Sequence, residues 1–505
     1  MSDFRPELVV GLVAPVGVRL DPVETSLAGA LSRAGYGVKA LRVSTAIEAF
    51  CERHELPAQG GGSRYDRLMR QGTFMREVFN DAAVTAYLTI AEIGQLRADL
   101  EDEGVSDRAY IVRQLKNPQE VIHLREVYGS RFFLVGVTAP RHERVDALSA
   151  NIDRLETDGG QSRAEAEELV ARDEAEPGAP HGQNVQKTFP RADFFIDSGS
   201  DIERGILAID AAIDRFVELV FGHPYRTPSK DEFGMYIANA ASLRSSALGR
   251  QVGCSISDAD GETLVTGMND VARAGGGQYW EGDSGDGRDF TLGLELSDKM
   301  NVALVEDLVR SFHERGWFTE EISQREVADV ADEAVREGGP ASTSQILDIL
   351  EFGRIVHAEM AAISTAARRG VPLRGSTLYT TTFPCHQCAR HIVASGIDRV
   401  VYREPYPKSK VGRLFRDSIT LGASLAANRV GFRPFEGIAP ARFTQLFEKA
   451  GAERKGTGGD LRDWVIDKAL PKLAAEDVAS ESLVRDRELT TVDRLNDLLD
   501  EYREG

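Results

Sequence analysis

Apolar positions fall into two kinds of pattern, short dense runs and longer stretches at helical spacing. ELVVGLVAP, residues 7–15, is a dense run closed by a Pro loop, which predicts a buried strand. Asp21 to Ala34 has helical spacing, and GYGVKALRVS (35–44) reads as a second strand after a Gly turn. A long helical stretch follows from Tyr65 to Leu100. AYIVRQL (109–115) and RFFLVGVTA (131–139) read as buried strands around a helix at Pro118 to Tyr128. ADFFIDSG (192–199) is another strand, followed by a helix from Ile202 to Val220. Strands alternating with helices predict a parallel sheet. Between them, 151–187 is polar and reads as a surface helix and loop or as a mobile lid.

The pattern changes after HPYRTPSKDE (223–232), a Pro-containing linker. A helix begins near Glu232. GRQVGCSIS (249–257) and ETLVTGMND (262–270) are β-rich runs joined by the turn sequence DADG, a hairpin. Gly275 to Gly287 holds six glycines and reads as a loop. Residues 288–345 are a charged helical insertion. Helix, strand, helix and strand follow at 357–369, 376–382, 384–395 and 398–404. The tail carries Val492, Leu495, Leu498, Leu499 and Tyr502 on one helical face, for docking or oligomer packing. The chain divides on this reading into 1–222, 223–435 and a helical extension 436–505.

Charge narrows the function. Asp and Glu outnumber Lys and Arg by 80 to 60, a net charge of −20. Such a surface repels polyanions, which argues against non-specific nucleic-acid or acidic-membrane binding while leaving room for a local basic pocket. No apolar run is long enough for a membrane span. The residues before the run Leu8 to Val18 carry Asp3 and Glu7 as well as Arg5, so the positively charged region of a signal peptide is not expected and a buried first strand is. The expected compartment is the cytoplasm. Four cysteines are too few for a disulfide framework, and two of them form a C-x-x-C.

That C-x-x-C lies in Pro384-Cys385-His386-Gln387-Cys388, downstream of His357-Ala358-Glu359. The combination is the H-x-E…P-C-x-x-C signature of zinc nucleobase deaminases. One imidazole and two thiolates hold Zn²⁺ and leave a fourth position for water. Cys385 and Cys388 share a helix face, Pro384 suits a first helical turn, and the helix N-terminus favours thiolates. Glu359 is placed to move protons between water, the ring nitrogen and departing ammonia without being a ligand. A thioredoxin-like site would lack the upstream His-x-Glu, and a structural zinc knuckle would need four protein ligands.

GRQVGCSI, LVTGMNDVARAGGG, HAEM and TLYTTTFPCHQCARHIVASGIDRVVY together resemble the deoxycytidylate deaminase family. That family carries R-R-Q-V-G and G-Y-N-G-x-P-R-G segments. Here Gly249 replaces the first Arg, Met268 the Tyr and Asp270 the Gly. The resemblance implies that Asn269 bonds the sugar or base edge. It makes Arg250 and Arg273 phosphate partners, or else surface salt-bridge residues. In Arg403–Lys410, Tyr406 would stack on a pyrimidine and Lys408 or Lys410 meet phosphate; the other reading is a Pro-stiffened surface loop with solvated lysines.

The first 222 residues resemble P-loop nucleotide kinases. GLVAPVGVRLD aligns with their phosphate loop and retains Gly11 and Gly17 as degenerate nucleotide-binding positions. Leu20 replaces the lysine and Asp21 the Mg²⁺-binding hydroxyl. A nucleotide sensor or a structural domain is expected, not a working kinase. Together the two halves resemble bacterial anti-phage dCTP deaminases.

The expected fold is therefore α/β, a P-loop-kinase-like parallel-sheet domain followed by a cytidine-deaminase-like α/β/α domain. The resemblance implies conversion of dCTP or dCMP to dUTP or dUMP, a homo-oligomer, and control by a nucleotide or an inhibitory RNA at the N-terminal domain. A polynucleotide-editing deaminase is the alternative. It would need a basic channel and aromatic platforms, which the net charge and 7% aromatic content do not support.

Overall fold

A computed structural model describes residues 5–57, 60, 62–155, 162–174, 182–199, 202–349, 352–406, 409–422, 428–449, 454–456, 458–473 and 481–504. The chain packs into two compact units. One comprises Met1–Tyr236, Arg403–Pro405 and Arg433–Gly505; the other comprises Ile237–Tyr402 and Tyr406–Phe432.

In the first unit the dense apolar runs form β1 (Leu8–Val13), β2 (Gly37–Arg42), β3 (Arg108–Arg113), β4 (Phe132–Thr138) and β5 (Phe194–Asp197). Their order is β5-β4-β1-β3-β2 and every neighbouring pair is parallel. β1 is buried along its whole length, as a central strand covered on both faces must be. The helix Asp21–Arg33 follows β1, and Ile202–Val220 follows β5. Both pack in the same core, through Leu27, Leu31, Ile213 and Phe216.

Two sequence expectations are corrected in this unit. The single helical stretch from Tyr65 to Leu100 is two helices, Arg64–Val78 and Val84–Asp102. Between them Asn80 takes φ 47°, a conformation Asn tolerates, and Asp81 Oδ1 accepts from Ala83 N at 2.8 Å. Nor does 436–505 stand apart as a helical extension. Its strand Gly437–Ile438 adds antiparallel to β5, and Ile438 N donates to buried Glu232 at 2.8 Å. The last helix, Glu481–Glu504, buries Leu495, Leu498 and Leu499. Buried Arg97 also joins Glu7 at 3.0 Å to Glu488 of this helix at 2.6 Å.

In the second unit β6 (Gly253–Ser257) and β7 (Thr263–Met268) form the expected hairpin. β8 (Asp270–Val271) and β9 (Ile355–Val356) make a separate antiparallel pair. β10 (Thr377–Thr382), β11 (Arg399–Glu404), β12 (Ile419–Leu421) and β13 (Val430–Pro434) complete a sheet ordered β12-β13-β11-β10-β6-β7. β10 is antiparallel to β6, and β12 is parallel to β13. Residues 249–252, read as the start of a strand, precede β6 instead. The insertion forms helices Leu296–Glu314, Glu320–Ser323 and Val327–Val335. It has a small core of its own, with Val305, Val309 and Ala331 buried.

Candidate active and metal site

His357 is the N-cap of helix Ala358–Arg369, and Glu359 lies in that helix's first turn. Cys385 is the N-cap of helix His386–Ala394, and its Sγ accepts from Cys388 N at 3.4 Å. Pro384 stands just before this cap and not inside the first turn. β10 ends at Thr382, just before this motif, so the sheet delivers Cys385 and Cys388 to His357. His357 Nδ1 lies 3.3 Å from Cys385 Sγ and 3.5 Å from Cys388 Sγ. These three donor atoms all fall within 4.8 Å of one another.

The donor set fits zinc. Bonds of about 2.0–2.1 Å to nitrogen and about 2.3 Å to sulfur, set at a tetrahedral angle, separate N and S donors by roughly 3.6 Å. The observed separations match without rearrangement. Cys388 donates a hydrogen bond to Cys385; that bond and nearby His357 hold the Cys385 thiol down at about 4. Cys388, as the donor of the pair, is pushed up. Binding a metal therefore releases the Cys388 proton. The hydrogen bond to Cys385 raises His357.

Glu359 is 4% exposed. Burial raises its carboxyl, and the negative Cys385 adds to the effect. Thr380 Oγ1 lies 3.4 Å from Glu359 Oε1. Thr380 also donates to Thr382 O at 3.0 Å. Sequence reasoning missed Thr380; alternation along β10, which puts it on the face away from Thr381, was the available signal. Cys254 is fully buried, and burial, with Glu359 adding, pushes its thiol well up. It is a packing residue here.

Two glycines let strands come close enough to build this site. A Cβ on Gly267 of β7 would sit 2.3 Å from Ala358 O and 2.5 Å from Ala362 N. Ala358 lies between His357 and Glu359, so this contact sets the position of both. A Cβ on Gly253 would fall 1.9 Å from Ala238 O. The sequence showed these glycines only as motif letters.

The proposed substrate contacts separate into groups. Asn269 turns inward. Its Oδ1 accepts from Val252 N and its Nδ2 donates to Arg250 O, both at 2.7 Å. It thereby pins the segment before β6. Arg250 lies 5.6 Å from the Tyr406 ring centroid, a cation–π arrangement that brings two predicted contacts together. Arg273 is paired with Asp283 at 3.0 Å, the surface salt-bridge alternative. Lys408 lies outside the described residues. In the same loop, Ser409 Oγ donates to Pro384 O at 2.9 Å. This ties the loop to the residue preceding ligand Cys385, a link the sequence did not suggest.

At the N-terminal loop, Gly11 is not a loop glycine. It lies inside β1, where a Cβ would meet Leu115 at 2.9 Å and Phe132 at 3.0 Å. Gly17 is in the loop at φ 86°. Val16 N, an amide that would face phosphate in a phosphate loop, donates to buried Asp173 Oδ2 at 2.7 Å.

With the geometry in place, comparison with known proteins is specific. Residues 228–404 match the family model of the cytidine and deoxycytidylate deaminase zinc-binding region. The chain is 49% identical over 57 residues to deoxycytidylate deaminase of Enterobacteria phage T4, covering 11% of this chain and 30% of that protein. It is 45% identical over 53 residues to ComE operon protein 2 of Bacillus subtilis, covering 10% and 28%. The chain thus spans about 30% of the length of these curated relatives. A solved structure of cyanophage S-TIM5 dCMP deaminase with dCMP and dUMP has 16% identity and a TM-score of 0.23, covering 41% of this chain and 99% of that one. The chain contains, at residues 228–404, a zinc-binding region of the cytidine and deoxycytidylate deaminase kind.

Proposed function

We propose that this protein hydrolytically deaminates free deoxycytidine nucleotides, converting dCTP or dCMP to the deoxyuridine nucleotide and ammonia. One observation carries the reading. A buried carboxylate, Glu359, stands beside a cluster that, among the described residues, has three metal donors. A structural zinc site closes with four protein ligands and has no use for such a carboxylate.

Held by His357, Cys385 and Cys388, zinc would lower the pKa of a water towards neutrality. Glu359 would take a first proton from water and pass it to the ring N3 as the water oxygen attacks C4, then carry the remaining hydroxyl proton to the amino group, which leaves as ammonia. At C4 a C–O bond forms and the C–N bond breaks, with no net redox change. Burial suits Glu359 to this work, because a raised carboxyl holds a proton more readily near neutral pH. The Arg250–Tyr406 pair supports a role in holding the nucleotide.

The N-terminal unit is read as a domain that controls the deaminase without transferring phosphate, since Leu20 and Asp21 stand where lysine and hydroxyl are needed. Resemblance to the anti-phage dCTP deaminases, which rests on the sequence motifs, supports a role in nucleotide depletion during infection. Homo-oligomers and an inhibitory RNA belong to the same reading.

Mass spectrometry of products from dCMP, dCDP, dCTP, CTP and a cytosine-containing single-stranded oligonucleotide at low salt tests the proposal. Deoxyuridine nucleotide from a free substrate is the expected result. Editing of the oligonucleotide alone would move the protein to the polynucleotide class.

A further inference from the structure

The first unit contains a cavity of about 810 Å³ at the carboxyl end of β1 and β3, lined by the loop after β1 and by helices Val43–Arg53, Arg64–Val78 and Arg141–Leu155. The position is physically favoured for ligands. The chain leaves β1 for β2 on one side, returns through β3, and then places β4 on the other side of β1. Open parallel sheets bind ligands at such a reversal. The volume is that of a small-molecule site.

The lining is unlike the rest of the molecule. In a chain of net charge −20, this wall presents seven basic side chains against four acidic ones. Three of the basic groups are committed to the protein. Lys116 pairs with Asp173 at 2.7 Å, Arg113 with Asp21 at 2.5 Å and Arg76 with Glu120 at 3.5 Å. Arg42 is held by Asp21 only at 3.5 Å, and Arg64 by exposed Glu48 at 3.2 Å. Arg19 and Arg154 have no ion-pair partner among the described residues. The uncharged lining includes polar side chains such as Asn151 and Gln183, together with apolar Val43, Ile47, Leu68, Met69 and the ring of Tyr65.

We propose that this cavity is a mononucleotide-binding site in which Arg19, Arg42 and Arg154 hold the phosphates and the apolar wall around Tyr65 takes the base. The loop amides do not form the cradle. Val16 N already donates to Asp173, whose carboxylate also binds Lys116 and so serves as an internal anion at the loop. Side-chain cations therefore replace the backbone, and Leu20 and Asp21 are compatible with binding in the absence of phosphoryl transfer. The site is separate from the zinc site, and the inference does not rest on the deaminase reading.

Isothermal titration of the full-length zinc-loaded protein with ATP, GTP, dTTP and UTP tests it, with inorganic tripolyphosphate as the second arm. These probes avoid cytosine. At least one nucleotide binds about tenfold more tightly than tripolyphosphate. The Arg19→Ala/Arg154→Ala protein loses that affinity about tenfold or more while zinc content and melting temperature hold, because both side chains are exposed and have no ion-pair partner among the described residues. Leu68→Trp, which adds bulk to the apolar lining, weakens the nucleotide and leaves tripolyphosphate unchanged. Absence of binding by every probe overturns the proposal. So does binding indifferent to the double substitution, or tripolyphosphate binding as tightly as the best nucleotide.

Discussion

Gly267→Ala places one methyl group where β7 meets the helix that carries His357 and Glu359. The new Cβ would stand 2.3 Å from Ala358 O. Ordinary contact begins near about 3.4 Å, so strand and helix must part by roughly 1 Å. Gly267 does not hold a positive φ, so the cost is steric, with no backbone conformational strain. Overpacking of this kind costs about 1–3 kcal/mol in the second unit. Function suffers more, because the displaced backbone lies between the nitrogen ligand and the proton carrier. A shift near 1 Å lowers a rate by about 10²-fold, and metal sites tolerate only about 0.2 Å in ligand distance. The expected outcome is a folded protein with lowered zinc retention, a lower melting temperature and a deamination rate reduced about 10²-fold at saturating nucleotide. Zinc per chain, thermal unfolding and product formation are measured on one preparation. A variant with wild-type zinc, melting temperature and rate would refute the claim that this contact sets the site.

Cys388→Ala leaves two donors, and the purified protein should contain little zinc by elemental analysis, with loss of second-unit stability. Chelation of wild-type zinc should abolish deamination, and added Zn²⁺ should restore it. Arg97→Met uncouples Glu7 and Glu488 in the first unit; with Arg108 and Arg485 still pairing those carboxylates, the cost should approach about 3 kcal/mol. Hydrogen exchange in 481–504 should rise while the zinc content stays constant. Ser409→Ala removes the bond to Pro384 O. It should raise KM for the nucleotide more than it lowers kcat, measured by steady-state kinetics.

The metal site was legible because its chemistry dictates residue type and spacing. His357, Cys385 and Cys388 converge as that chemistry requires, and Glu359 falls beside them. Packing was harder to read. Gly11 looked like part of a phosphate loop because a Gly pattern has no depth coordinate; its burial against Leu115 and Phe132 comes from neighbours distant in sequence. Asn269 carried the polarity of a substrate contact, yet its amide holds the backbone of Arg250 and Val252. The strand Gly437–Ile438 is two residues long and gives no periodic signal, so its return to β5 could only be seen in three dimensions. That return also affects truncation. Cutting at residue 222 would expose surface that 433–505 now covers, so full-length variants isolate the N-terminal unit more cleanly.

The most direct test of the central claim compares wild-type and Glu359→Gln protein, counting zinc and following dCTP and dCMP by mass spectrometry. Both proteins should hold about one zinc per chain. The wild type should form the deoxyuridine nucleotide, and Glu359→Gln should be slower by at least about 10²-fold. Equal turnover by the two proteins, with zinc retained in each, would contradict the account.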